Sequence, residues 1–124
     1  MHVAKAQKLD SVEIWGSGKT RREFLYVDDF SDALIYFMKS YNAGELDGFV
    51  NVGPGKDQTI NELANMIKET VGFSGELTFN TVKPDGMPKK CLDVSRAKSL
   101  GWESKTDLQT GLKKTYDWYL TTIN

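Results

Sequence analysis

Two glycine-rich turns, one basic loop and a lone thiol are the features of this chain whose residue types and spacing bear on chemistry. Gly16-Ser17-Gly18-Lys19-Thr20 follows an extended run and ends like a phosphate-binding loop. That pattern needs a glycine five residues before its second one, so that backbone N–H groups can wrap a phosphate, and Glu13 stands there instead. It must also open a helix, whereas Arg21 to Val27 has the composition of a strand, so the expectation is a tight strand-to-strand turn. Gly53-Pro54-Gly55 is half of a dinucleotide fingerprint whose third glycine falls on Gln58, and a strand-to-helix turn is expected there. Cys91 and His2 are the only cysteine and the only histidine. No zinc spacing or Ser-His-Asp set can be built from them, and Cys91, with no imidazole to activate it, reads as a small packing residue.

The basic set is richer. Arg21 and Arg22 follow Trp15 after a short turn, and Lys83-Pro84-Asp85-Gly86-Met87-Pro88-Lys89-Lys90 is a loop stiffened by prolines. An arginine fork suits phosphate oxygens, a lysine adds a point charge, and an indole can pack on a base or a sugar face. Arg22 and Lys90 could therefore hold a diphosphate beside Trp15. Solvated charges on a surface turn account for the same residues. Asp85-Gly86 is a turn signal first and a contact to sugar hydroxyls second, and Asp28-Asp29 reads as a helix cap.

Helices and strands must position these groups. Met1 to Lys8 reads as the tail of a helix, with no Ser, Thr, Asp or Asn before it as a cap, so it looks like a helix begun earlier in a longer protein. Val12–Trp15 and Glu23–Val27 are expected strands. From Asp28-Asp29 a helix follows with Phe30, Ala33, Leu34, Phe37, Met38 and Tyr41 on one apolar stripe, ending near Asn42-Ala43-Gly44. Phe49–Val52 is a third strand. Thr59 with Glu62 forms a capping box for a helix through Val71, stopped by Gly72. Glu76–Thr81 and Cys91–Val94 read as strands, Ser95 as the cap of a brief helix, and Asp107 as the cap of a last helix with Leu108, Leu112, Tyr116 and Tyr119 on one face. The class is α/β, or α+β-like if the chain is a fragment.

Composition sets the outer bounds. The 124 residues carry a net charge of −1, with 40% apolar and 27% charged side chains, which excludes disorder and a strongly basic nucleic-acid-binding domain. No run approaches the ~20 apolar residues of a membrane span. The charged opening is unlike a signal peptide, and a single cysteine suits a reducing compartment, so a cytoplasmic location is expected.

Several of these stretches together resemble one family. Trp15-Gly16-Ser17-Gly18, Arg22-Glu23-Phe24-Leu25-Tyr26-Val27-Asp28-Asp29, Asn51-Val52-Gly53-x-Gly55, Thr59-Ile60-x-Glu62-Leu63-Ala64, Lys83-Pro84-Asp85-Gly86-x-Pro88-x-Lys90-x-Leu92-Asp93-Val94-Ser95-Arg96 and Leu100-Gly101-Trp102 look like the C-terminal part of the GDP-L-fucose synthases. These are GDP-4-keto-6-deoxy-mannose 3,5-epimerase/4-reductases of the extended short-chain dehydrogenase/reductase group. The Arg-Glu-Phe stretch is shared by many nucleotide-sugar epimerases and dehydratases, while the Lys-Pro-Asp-Gly loop points to the fucose synthase branch. The resemblance implies that Trp15, Arg22, Asp85 and Lys90 contact a GDP-sugar and that residues 1–124 form one nucleotide-sugar-binding domain. It also implies that NADP serves the full-length family. The family's Gly-x-x-Gly-x-x-Gly turn, its Tyr-x-x-x-Lys pair and its catalytic Cys and His have no counterparts here. The expectation is therefore a segment without a complete Rossmann domain, with no cofactor and no turnover of its own. It would close over a GDP-sugar beside a separate Rossmann half, or self-associate through the face that half would cover. The rivals are an interaction module without catalysis and the matching segment of a UDP- or dTDP-sugar enzyme.

Overall fold

The capping box forms as its spacing predicts. In the computed structural model, which describes residues 1–42 and 44–123, the Glu62 backbone N–H donates to Thr59 Oγ1 at 3.1 Å and the Thr59 N–H donates to Glu62 Oε2 at 2.7 Å. From that start Ile60–Val71 is helical, and Gly72 ends it in the left-handed region at φ 69°. The Asp107 carboxylate likewise accepts the Thr110 N–H and opens a helix over Leu108–Thr122.

In chain order the elements are α1 (His2–Ala6), β1 (Ser11–Trp15), β2 (Arg21–Arg22), α2 (Val27–Ser40), β3 (Gln58–Thr59), α3 (Ile60–Val71), β4 (Glu76–Asn80), β5 (Lys89–Lys90), α4 (Ser95–Ser99) and α5 (Leu108–Thr122). Among the described residues they make a mixed α/β arrangement with two small sheets. β1 pairs in parallel with β4, Ser11 opposite Glu76 through Trp15 opposite Asn80. β2 is the centre of the other sheet, antiparallel to β3 and parallel to β5.

Two apolar clusters hold these pieces. Ala4, Val71 and Phe73 are buried with Val12, Ile67 and Tyr116 against them, which joins α1, β1, α3 and α5. Ala33, Ala97 and Trp102 are buried with Leu25, Tyr36, Phe37, Val50 and Val52, which joins α2, α4 and the segments between. His2 packs edge-on to Tyr116 and Tyr119, its Nδ1 3.0 Å from the Tyr116 hydroxyl, so its environment is that of a packed aromatic cluster.

The structure departs from the sequence reading at five places. Glu23–Tyr26 does not continue β2, and α2 starts at Val27 with no side-chain cap. Asp29 is no cap: it is buried and accepts the N–H groups of Lys105 (2.9 Å) and Thr106 (2.7 Å) and the Thr106 hydroxyl (2.8 Å). The strand expected at Cys91–Val94 pairs two residues earlier, at Lys89–Lys90, and Val94 rather than Ser95 is the N-cap of α4, without a side-chain cap, while the preceding Asp93 accepts the Ser95 N–H. Phe49–Val52 is not paired as a strand, although Val50 and Val52 pack on α2. Finally α2 is apolar on two sides. Ala33, Tyr36 and Phe37 turn inward, while Phe30, Leu34 and Met38 face solvent, Met38 at 82% exposure. The helix ends at Ser40, and of the expected stop Asn42-Ala43-Gly44, Ala43 lies outside the described residues. No described helix is long and apolar enough to cross a membrane.

Candidate functional site

The basic loop runs alongside the segment from Trp15 to Arg22 for its whole length. At one end the Lys83 ammonium sits 4.9 Å from the centre of the Trp15 ring, a cation–π contact on an indole that is 69% exposed. Next, Asp85 accepts the Ser17 N–H at 2.6 Å on one oxygen and the Ser17 hydroxyl at 2.7 Å on the other. Further along the Arg21 N–H donates to the Pro88 carbonyl at 2.8 Å. At the far end β2 and β5 pair, Arg21 opposite Lys89 and Arg22 opposite Lys90. Two chain segments far apart in sequence thus form one ladder, with an open indole at one end and Arg22 in register with Lys90 at the other.

Each rung has a sequence cause. Gly16 takes φ 88°, which an L side chain adopts only under strain, and a Cβ there would stand 2.5 Å from Asp85 Oδ1. Gly18, at φ 73°, has the Phe79 ring where a Cβ would go. The turn they make sends its carbonyls to the start of α3, where Gly18 and Thr20 accept the N–H groups of Asn61 and Ile60. With the Glu62 N–H taken by Thr59, that helix start is already satisfied and is no anion site. The Gly16-to-Thr20 stretch therefore leads into a strand, as its sequence implied, and not into a phosphate loop.

Of the four residues singled out from sequence, Arg22 and Lys90 are brought together by strand register, and Trp15 is held at the opposite end of the same ladder. The Arg22 guanidinium donates to the Arg21 carbonyl at 2.6 Å. Lys90 is exposed at the loop's end. Asp85 sits between them, but both its oxygens already hold Ser17, so its evident work is to tie the loop to the turn. Sequence reasoning missed Ser17 and Asp57 as parts of this site. Ser17 was hidden as turn filler, and Asp57 by the 36 residues between it and Arg21.

The electrostatics follow the hydrogen bonds. The Ser17 N–H and hydroxyl hold the Asp85 carboxyl below the usual carboxylate range, and the hydrogen bonds from Lys89 and Arg21 do the same for Asp57. Burial works against ionised Asp29, and its hydrogen bonds from Thr106 and Lys105 outweigh that. The Thr59 N–H and hydroxyl lower Glu62. Burial and the neighbouring Glu23 push the Cys91 thiol up, the reverse of what a nucleophile needs.

Two predictions arise here. Because Asp29, Asp57, Glu62 and Asp85 have folded-state values below their unfolded ones, each adds stability above an unfolded value of about 4 and loses it as the pH falls through the lower folded value. The melting temperature should be level from pH 7 to about 5 and fall steeply below about 4; a rise on acidification would contradict the assignment. Gly16→Ala strains the backbone and displaces Asp85, at a cost of about 1–3 kcal/mol. In that variant the loop amides 83–88 should lose protection from hydrogen exchange, and unchanged protection there would show that the Ser17–Asp85 tie does not order the loop.

A dinucleotide does not fit Gly53-Pro54-Gly55. The space beside Gly53 is taken by Glu23 and Val94, that beside Gly55 by Val94, and the turn runs on through residues 56–57 to β3 and not directly into a helix. A shallow cavity of about 280 Å³ does open nearby between Phe24, Pro54, Gln58 and Thr106.

An α/β body of this kind, with a Trp-Gly-Ser-Gly turn laced to a Lys-Pro-Asp-Gly loop, is similar to parts of known proteins. A profile of the NAD dependent epimerase/dehydratase family matches residues 1–53, a little under half of the chain. Over nearly its whole length the chain is similar to GDP-L-fucose synthases. GDP-L-fucose synthase 1 from Arabidopsis thaliana is 46% identical over 122 residues, covering 98% of this chain and 37% of the relative. Among solved structures, the GDP-mannoheptose C4 reductase from Campylobacter jejuni with NADP bound aligns with TM-score 0.84 and 41% identity, over 96% of this chain and 41% of that one. A GDP-L-fucose synthetase from Naegleria fowleri bound to NADP aligns with TM-score 0.88 at 25% identity, over 98% and 38%. The chain thus spans a little over a third of the length of the proteins it matches.

Proposed function

We propose that this chain is the substrate-binding, C-terminal segment of a GDP-L-fucose synthase-like epimerase/reductase, and that it holds the GDP end of a GDP-4-keto-6-deoxy-mannose-type substrate. The observation that carries the reading is the register pairing of Arg22 with Lys90, two cations side by side at the end of a ladder whose other end is the exposed Trp15 ring. The two cations clamp the diphosphate, with the planar Arg22 fork matching its oxygens and Lys90 adding a point charge. Trp15 packs on the base or sugar. Asp85 keeps the loop seated and offers its remaining lone pairs to sugar hydroxyls.

On this reading residues 1–124 act as one nucleotide-sugar-binding domain, and NADP is held by parts of the family's fold that these residues do not supply. The clamp's contribution to the reaction is to fix the keto-sugar and exclude water at the nicotinamide. The outer face of α2, with Phe30, Leu34 and Met38 exposed, and the unpaired run Phe49–Val52 are where the NADP-carrying part of the enzyme packs, completing a strand ladder and covering the apolar side chains. That same face favours a second reading, an interaction module that has lost ligand recognition.

Intrinsic tryptophan fluorescence on adding GDP, GDP-fucose and UDP separates the two. Saturable quenching by the GDP ligands supports the clamp. Equal quenching by UDP moves the assignment to another nucleotide-sugar branch. No response to any nucleotide, with concentration-dependent sedimentation, leaves the interaction module.

A further inference from the structure

The clamp pair has a counterpart on the other side of its own strands. Successive residues of a strand point to opposite faces, so when Arg22 and Lys90 face one way, Arg21 and Lys89 face the other. On that second face stands Asp57. Its Oδ1 accepts from Arg21 Nε at 2.6 Å, its Oδ2 lies 3.0 Å from Lys89 Nζ, and its backbone carbonyl accepts from Arg21 Nη2 at 3.1 Å. The Asp57 side chain is 8% exposed, while Arg21 is 41% and Lys89 63% exposed, so a largely covered carboxylate is the hub and the cations are its spokes. Each oxygen holds one strand. One carboxylate therefore bridges β2 and β5 exactly where their ladder is only two residue pairs long.

Resting on the clamp reading above, we propose that Asp57 is the positioning residue for nucleoside-diphosphate binding: by tying Arg21 to Lys89 it fixes the register that sets Arg22 beside Lys90. Four cations on two adjacent residue pairs would otherwise repel across the strands. Asp57 offsets one of the rear pair's two charges and none of the front pair's, which leaves the front pair charged, aligned and open to an anion. The hydrogen bonds that keep its carboxyl ionised act in the same direction.

The test has a sign built into it. Asp57→Asn keeps the shape and removes a negative charge close to an anion site, so a pure field effect would tighten GDP binding. Loss of positioning weakens it, and the expected result is a fall of about tenfold in GDP affinity by titration calorimetry. In a Lys90→Ala background the same change should have almost no effect, because Asp57 acts through the register of Lys90. A general loss of fold would add to the Lys90→Ala loss instead. Lys89→Gln, at an exposed position, provides the second variant should Asp57→Asn melt below the assay temperature. It is expected to weaken GDP binding with Lys90 present and not in its absence, whereas simple loss of a positive charge would act in both backgrounds. Unchanged or tighter binding in Asp57→Asn, or equal effects in the two backgrounds, overturns the positioning role while the clamp stands. If Arg22→Ala and Lys90→Ala themselves leave GDP binding unaltered, it is the clamp that falls.

Discussion

Removing both clamp cations, in an Arg22→Ala/Lys90→Ala variant, is expected to weaken GDP binding by about 100-fold or more while leaving the melting temperature nearly unchanged. A hydrogen bond to a charged group contributes about 1.5–3 kcal/mol, or roughly 10- to 100-fold in affinity for each side chain. The two act on one diphosphate, so their losses need not add. Neither side chain carries the fold: among the described residues Arg22 donates to its neighbour's carbonyl, that of Arg21, and Lys90 is exposed at the end of a loop. Lys90 is exposed and Arg22 half-buried, so raising the salt concentration should reproduce part of the loss in the native chain. Calorimetry at two ionic strengths checks the argument. A double variant that binds GDP as tightly as the native chain would remove Arg22 and Lys90 from the site.

The largest effect on stability is expected at Asp29. Its carboxylate is buried under the Lys105–Thr106 corner and satisfies two backbone N–H groups and one hydroxyl. Asp29→Ala leaves those donors facing a cavity, at a cost of about 3 kcal/mol. For a chain of this size that is a drop of about 10 °C in melting temperature. Asp28→Ala is the control. Asp28 is exposed in the first turn of α2 and gives up a dipole interaction of about 1 kcal/mol or less and a hydrogen bond from the neighbouring Tyr26 hydroxyl. Thermal melts at pH 7 distinguish them, and equal losses in the two variants would mean that the corner is not held by Asp29.

The contrast between those two aspartates shows where sequence reading works and where it stops. Asp28-Asp29 before an apolar stripe has every local mark of a helix cap, yet the donors that Asp29 satisfies come from residues 105 and 106, which no local pattern can reveal. Local signals held. The capping box at Thr59, the glycine stop at Gly72, the Asp107 cap and the β1 and β4 strands are all set by neighbours within a few residues, and all form. Long-range pairing did not read out in the same way. The β-rich run Phe49–Val52 finds no strand beside it, and the stripe on α2 divides into a face turned inward and a face turned out. For the site, the residue types and the family-like motifs pointed to Trp15, Arg22, Asp85 and Lys90. What they could not give was the ladder itself, because Ser17 to Asp85 and Arg21 to Lys89 are contacts across 68 residues.

That ladder is also the place to test the account. Amide chemical shifts of the ¹⁵N-labelled chain, followed as GDP is added, report which backbone groups meet the nucleotide. The account predicts saturable shifts concentrated in residues 15–22 and 83–90, with the indole N–H of Trp15 among the largest and those of Trp102 and Trp118 unmoved. Shifts centred instead on the cavity at Phe24, Pro54, Gln58 and Thr106, with the ladder silent, would contradict it.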